Sequence, residues 1–192
     1  MQLRAENINF GYKQGAYILK DFNFYIESGE VVGIVAPSGY GKTTLAKLLA
    51  GYERPERGKV TLDGKEMGTD DGYYPVQLIF QHPEKAVNPK WKMKKILMES
   101  MGIETNWLER WPSELSGGEL QRFCVIRALS ERTKFIIADE MTAMVDTITQ
   151  AQIWSTVLEF SRVNHIGVVV ISHDQSLIKK ICHRVVNLEI KE

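Results

Sequence analysis

The stretch Glu30-Val31-Val32-Gly33-Ile34-Val35-Ala36-Pro37-Ser38-Gly39-Tyr40-Gly41-Lys42-Thr43-Thr44 decides the fold. Its opening residues form a short apolar run, the pattern of a strand buried on both faces of a parallel sheet. The glycine-bearing loop that follows opens a helix from Thr43 to Ala50, with Gly51 as the residue just past its cap. Strand, loop and helix in that order are the setting of a phosphate-binding loop. Gly39 and Gly41 let successive N–H groups, those of Ser38 and Tyr40 among them, turn inward around β- and γ-phosphates. Lys42 brings a positive charge to the same oxygens. Thr43 offers its hydroxyl to Mg²⁺, and Thr44 can donate to an α-phosphate. Ala36 occupies the first position, where the usual pattern has glycine; later residues do most of the wrapping, so a methyl there is accommodated.

The chain around this stretch alternates. Leu3 to Glu27 reads as two strands about the turn-prone Tyr12-Lys13-Gln14-Gly15, and Lys59–Leu62 and Val76–Phe80 are further strands. The second half predicts a helix from Gly117 to about Ser130, then strand Phe135–Ala138 and a helix from about Ile148 to Val163. Strand Gly167–Ile171, helix Gln175–Ile181 and strand Arg184–Leu188 follow. Strands alternating with helices of this length imply a mostly parallel sheet with helices on both faces. The expected class is therefore α/β: a P-loop NTPase core, an antiparallel β subdomain at the N-terminus, and a short helical insert over approximately 82–115. Within the insert, Met93, Ile96, Leu97 and Met101 form an apolar stripe opposite Lys92, Lys95 and Glu99. Gly102 ends that helix. Trp107, Leu108 and Trp111 make a second short face before Pro112.

Two further motifs carry chemistry. Phe135-Ile136-Ile137-Ala138-Asp139-Glu140 is an apolar strand ending in adjacent carboxylates, whose side chains point different ways. With a phosphate loop upstream, Asp139 can hold Mg²⁺ through its water shell while Glu140 polarises an attacking water. Leu115-Ser116-Gly117-Gly118-Glu119-Leu120-Gln121-Arg122 contains Ser-x-x-Glu, a capping box that starts a helix. The cap and an anion site are compatible: Gly117 and Gly118 leave the helix-start N–H groups bare for a γ-phosphate. Two phosphate-binding surfaces on one chain imply ATP shared between two subunits.

Taken together, these motifs resemble the nucleotide-binding subunit of ABC transporters, over essentially the whole chain (residues 1–192 as one nucleotide-binding domain). The resemblance implies ATP hydrolysis with Mg²⁺ and a dimer in which Ser116, Gly117, Gly118 and Glu119 face the partner's ATP. It also implies roles for further residues. Gln81, after Ile79-Phe80, is similar to the glutamine that senses Mg²⁺ and water. Asp146, in Met144-Val145-Asp146, is similar to the aspartate that communicates across the dimer. His173, in Ile171-Ser172-His173-Asp174, is similar to the switch histidine at the γ-phosphate. Tyr12, in Phe10-Gly11-Tyr12, is similar to the aromatic residue that stacks on adenine, with Tyr17 a competing choice. The expected catalytic set is thus Glu140, His173, Gln81 and Lys42, and the metal set Thr43, Gln81 and Asp139. The string Phe80-Gln81-His82-Pro83-Glu84-Lys85-Ala86-Val87-Asn88-Pro89 resembles ATPases of peptide and nickel importers. Against the family, the insert between Gln81 and Ser116 reads as shortened, the expectation is of no C-terminal extension of the peptide-importer kind, and Met141 replaces the proline after the glutamate.

Bulk properties fit this reading. The 192 residues are 44% hydrophobic and 25% charged, enough for a substantial core. Lys+Arg and Asp+Glu are both 24, so no net charge advertises a nucleic-acid partner. Cys124 and Cys182 sit in apolar patterns, as reduced core thiols do. No apolar run reaches the ~20 residues a membrane span needs. The expectation is a cytoplasmic subunit, peripheral on the inner face of the membrane through transmembrane permease subunits. Two other readings are a soluble ABC ATPase outside transport and a regulatory module that dimerises on nucleotide. The first class usually carries coiled-coil insertions or tandem halves, and intact Glu140 and His173 argue against the second.

Overall fold

A computed structural model describes residues 1–13, 16–67, 72–93 and 109–188. Its strands are β1 (Gln2–Phe10), β2 (Leu19–Glu27), β3 (Val31–Val35), β4 (Arg57–Leu62), β5 (Lys65–Glu66), β6 (Val76–Ile79), β7 (Phe135–Asp139), β8 (Gly167–Ile171) and β9 (Arg184–Asn187). The helices are α1 (Lys42–Leu49), α2 (Gly117–Ala128), α3 (Thr147–Asn164) and α4 (Gln175–Ile181), with short 3₁₀ turns at Pro83–Lys85 and Pro112–Glu114.

Two sheets form. The antiparallel one runs β2-β1-β4-β5, and the parallel one β6-β7-β8-β3-β9. Every residue of β7 and β8 is buried, which accounts for their unbroken apolar sequences. The period of two then sorts their side chains between two cores. Phe135, Ile137, Val169 and Ile171 pack with α1 and the antiparallel sheet. Ile136, Ala138, Val168 and Val170 pack with Val125 of α2, Ile153, Trp154 and Val157 of α3, and Ile178 of α4. The α/β expectation holds, with the N-terminal antiparallel sheet and α1 sharing one face. The two-residue β5 was not foreseen; it pairs with β4 through a tight turn at Asp63-Gly64.

Helix ends follow the sequence. Beyond α1, the Gly51 N–H meets Leu48 O at 3.1 Å and the Tyr52 N–H meets Lys47 O at 2.8 Å, the paired bonds of a Schellman cap. Of the predicted insert, Met93 is fully buried, and its N–H donates to Arg110 O at 2.9 Å, closing the insert's base. Ile96, Leu97, Met101, Trp107 and Leu108, the rest of the expected apolar faces, lie outside the described residues, as do Lys95, Glu99 and Gly102.

Arg184 ties the two sheets together. From β9 its Nε donates to Glu30 Oε1 at 2.6 Å, its Nη2 donates to Tyr25 O on β2, and its guanidinium lies 4.7 Å from the Tyr25 ring centroid. Partial burial works against the Glu30 carboxylate, but the Arg184 guanidinium and the Glu27 N–H more than offset it, leaving its pKa below the ordinary value. Because the folded pKa is depressed, this contribution is present at neutral pH and lost as pH falls through it. Glu30→Gln is therefore expected to cost about 1 kcal/mol in urea unfolding near neutral pH. The difference from wild type should vanish in acid below the Glu30 pKa; a gap independent of pH would contradict the assignment.

Candidate functional site

Parallel pairing brings four loops to one edge. Ile79 lies opposite Ala138, Asp139 opposite Ile171, and Ile34 opposite Ile171, so β6, β7, β8 and β3 end nearly level. Within two residues of these ends stand Gln81, Glu140, His173 and the start of the 36–41 loop, at the carboxyl ends where open α/β sheets build their sites. They line a cleft of about 490 Å³ with Ser38, Gly39, Gly41, Lys42, Thr43 and Thr44.

The loop is preformed. Gly39 and Gly41 have φ of +84° and +80°, left-handed values that L side chains rarely adopt. A Cβ at Gly41 would also lie 2.5 Å from Ile18 Cγ2. Lys42 is buried, and its Nζ donates to Ala36 O at 2.9 Å and Pro37 O at 3.1 Å, folding the ammonium back across the loop. These bonds satisfy the buried charge while leaving it at the cleft wall. Ala36 thus contributes a carbonyl to the lysine, a role that needs no glycine.

At the end of β7, Asp139 is buried, and burial raises its carboxyl pKa, opposed by hydrogen bonding from Thr43 and by the nearby Lys42 charge. Glu140 takes φ of +49°, a left-handed conformation uncommon outside glycine. Its N–H donates to Ile171 O at 2.9 Å, and its Oε1 sits 2.7 Å from His173 Nε2. The carboxylate is thereby held at the cleft mouth by a side chain from the neighbouring strand's loop. Met141 fills the place of the missing proline by packing, 2% exposed, into the core beneath α3. Trp154 Nε1 donates to Thr142 Oγ1 at 3.2 Å, and Ala143 N–H to Glu140 O at 3.0 Å, so hydrogen bonds fix the turn.

Not all predicted residues converge here. Ser116, Gly117, Gly118 and Glu119 lie away from the cleft at the start of α2. The capping box is formed: Glu119 N–H to Ser116 Oγ at 3.2 Å and Ser116 N–H to Glu119 Oε2 at 2.8 Å. A Cβ on Gly117 would meet nothing within 4 Å, and one on Gly118 only Val145 Cγ1 at 3.8 Å, so this helix start is bare. Asp146 caps α3, its Oδ1 accepting from the Ile148 and Thr149 N–H groups at 3.0 Å each. Tyr12 stands 58% exposed, edge-on to Phe10 at 5.1 Å, outside the cleft lining; Tyr17 and Tyr40 are exposed too. Ile18 lines the cleft and was missed, because an isolated apolar residue before a strand carries no sequence signal.

Comparison with known proteins adds the family. The ABC transporter family model matches residues 19–143. The chain belongs to the ABC transporter family. It is an ATP-binding subunit of that family and carries its ATPase activity. It is 32% identical over 210 aligned residues to the nickel import system ATP-binding protein NikE of Staphylococcus aureus (strain bovine RF122 / ET3-1), covering 97% of this chain and 86% of that protein. Among solved structures, the ATP-binding cassette MJ0796, a dimer in a post-hydrolysis state with ADP and Pi, aligns with a TM-score of 0.81 at 24% identity, over 97% of this chain and 94% of that one. The cbiO1 subunit from Clostridium perfringens aligns with a TM-score of 0.77 at 22% identity, over 96% and 83%. These two share the fold. Among the described residues, no helix is long and apolar enough to cross a membrane.

The loop geometry makes a direct test. Gly41→Ala is expected to weaken ATP binding at least about tenfold, since an L residue held left-handed costs roughly 1–2 kcal/mol before the Ile18 clash. Calorimetric titration with ATP measures it, and an unchanged affinity would contradict the geometry.

Proposed function

We propose that the chain, as one nucleotide-binding unit over residues 1–192, works as half of an ATP-driven dimer that powers import across a membrane, with nickel or a peptide as cargo. The observation that carries the dimer is the separation of two phosphate surfaces on one chain: the cleft at Lys42, and the bare helix start at Ser116–Gly118 that does not line it. In the assembly each ATP contacts the 38–44 loop of one subunit and Ser116, Gly117, Gly118 and Glu119 of the other. Asp146 sits at the boundary between them. Tyr12, exposed just after β1, suits an adenine face.

The donor set fits Mg²⁺: a threonine hydroxyl at Thr43, a glutamine amide at Gln81 and a buried carboxylate at Asp139 supply the oxygen ligands a hard cation takes. A bound Mg²⁺ offsets phosphate charge. Lys42 offsets more of it from its fixed position, and the loop N–H groups orient the phosphates without reorganisation. Glu140, held by His173, aligns and polarises water for in-line attack. His173 in turn reads whether the γ-phosphate is present.

Similarity to the nickel import ATP-binding protein over nearly the whole chain supports this choice of cargo. The partners are then a second ATP-binding subunit, identical or homologous, and transmembrane permease subunits that hold the dimer on the inner membrane face. Two measurements test the engine. Glu140→Gln should retain ATP binding and lose turnover by about 10²–10⁴-fold. Ser116→Arg should abolish turnover while leaving the ATP affinity of the monomer within about twofold, because an interface donor contributes nothing to binding by the lone subunit. Turnover at the wild-type rate in Ser116→Arg would overturn the shared site. Co-purification without any permease from native membranes would overturn the transport role.

A further inference from the structure

One flank of α2 is registered along the segment that begins at Gln81. Gln121 Nε2 donates to Phe80 O at 3.3 Å, Cys124 Sγ to Pro83 O at 3.8 Å, and Arg127 Nη1 to Ala86 O at 2.7 Å. The donors recur every three residues on the helix, and the acceptors recur every three along a segment wound in part as a 3₁₀ turn. Side chains of one helix thus meet two half-buried carbonyls of this segment, at Phe80 and Ala86, and add a second donor to Pro83 O, which already accepts from the Ala86 N–H at 2.9 Å.

Each rung has its own chemistry. Burial pushes the Cys124 thiol up to about 11, so it keeps its proton and donates. Gln121 is 2% exposed, and among the described residues its Oε1 accepts no hydrogen bond. An orphaned buried acceptor is costly, so an apolar side chain would be the cheaper filler. The gain that offsets this cost is the bond to Phe80 O, which fixes the peptide plane leading into Gln81. Phe80 is further held edge-on by Tyr52 at 5.5 Å.

The same helix starts at Ser116–Gly118. We propose that Gln121, backed by Cys124 and Arg127, is a positioning residue that fixes the Gln81 backbone and locks it mechanically to the Ser116–Gly118 helix start. This rests on the shared-site reading above, and extends it. Gln81 faces the ATP of its own cleft, whereas Ser116 faces the ATP of the partner's, so the ladder makes the two sites of a dimer respond together. A shift of Gln81 on meeting the γ-phosphate is then passed to α2 through Gln121, instead of being absorbed by a loose loop.

The test is a mutant cycle read as steady-state ATP hydrolysis. Gln121→Met conserves volume and removes the donor; it is expected to lower kcat about tenfold, because small misplacements of catalytic groups are costly, with KM for ATP changed less than about twofold. In a Gln81→Ala background the same substitution should add nothing further. Arg127→Met, with Arg127→Lys as the conservative rescue, repeats the experiment at a half-buried rung should Gln121→Met fold poorly. A wild-type kcat in both Gln121→Met and Arg127→Met, or losses that multiply in full with Gln81→Ala, overturns the coupling. An inert wild-type protein, or a Glu140→Gln variant as active as wild type, would instead overturn the ATPase reading beneath it.

Discussion

Level, parallel pairing of β3, β8, β7 and β6 is the constraint on which the rest depends. A parallel ladder aligns carboxyl ends at one edge, so four loops far apart in sequence open side by side. No residue of the cleft has to be placed individually across the molecule. The inner strands β3, β8 and β7 are apolar up to their carboxyl ends because helices cover one face and the antiparallel sheet with α1 covers the other. Burial therefore supplies both the stability and the alignment. The polar groups concentrated at the edge, Lys42, Asp139, Glu140 and His173, are each held by a specific bond to backbone or neighbour.

The same physics explains what the sequence revealed. Unbroken runs such as Phe135–Asp139 and Gly167–Ile171 can only be buried strands when they alternate with helices, and they were read to within a residue. Motif residues at the strand ends were legible because phosphate chemistry demands particular side chains at fixed spacing. Less legible were features that arise from contacts between distant segments. Ile18 enters the cleft only because the loop before β2 folds over Gly41. The Arg184 bridge joins residues whose separation in sequence hides any pairing. Met141, an oddity when read as a missing proline, is ordinary once its place in the core is seen.

The helix that starts at Ser116 has three tasks: its cap fixes its start, its bare N–H groups form a surface that does not line the chain's own cleft, and its flank grips the 80–86 segment. Each uses a different set of atoms of a single rigid element. A rigid element anchored to Gln81 at one flank and exposed at its end suits a machine in which one subunit's nucleotide state is communicated to the other's site. Arg122 strengthens the arrangement by bonding Gln152 Oε1 at 2.9 Å and Thr149 Oγ1 at 3.2 Å, linking α2 to the helix that Asp146 caps.

The central claim is that neither cleft is complete without a second chain, and the direct measurement is hydrolysis by a mixture of two defective subunits. One carries Glu140→Gln and the other Ser116→Arg. A mixed dimer then contains one intact composite site, formed by the cleft of the second and the helix start of the first. Random pairing in equal amounts should restore activity, up to about a quarter of wild type, although each variant alone is inactive. A mixture no more active than its components would contradict the account.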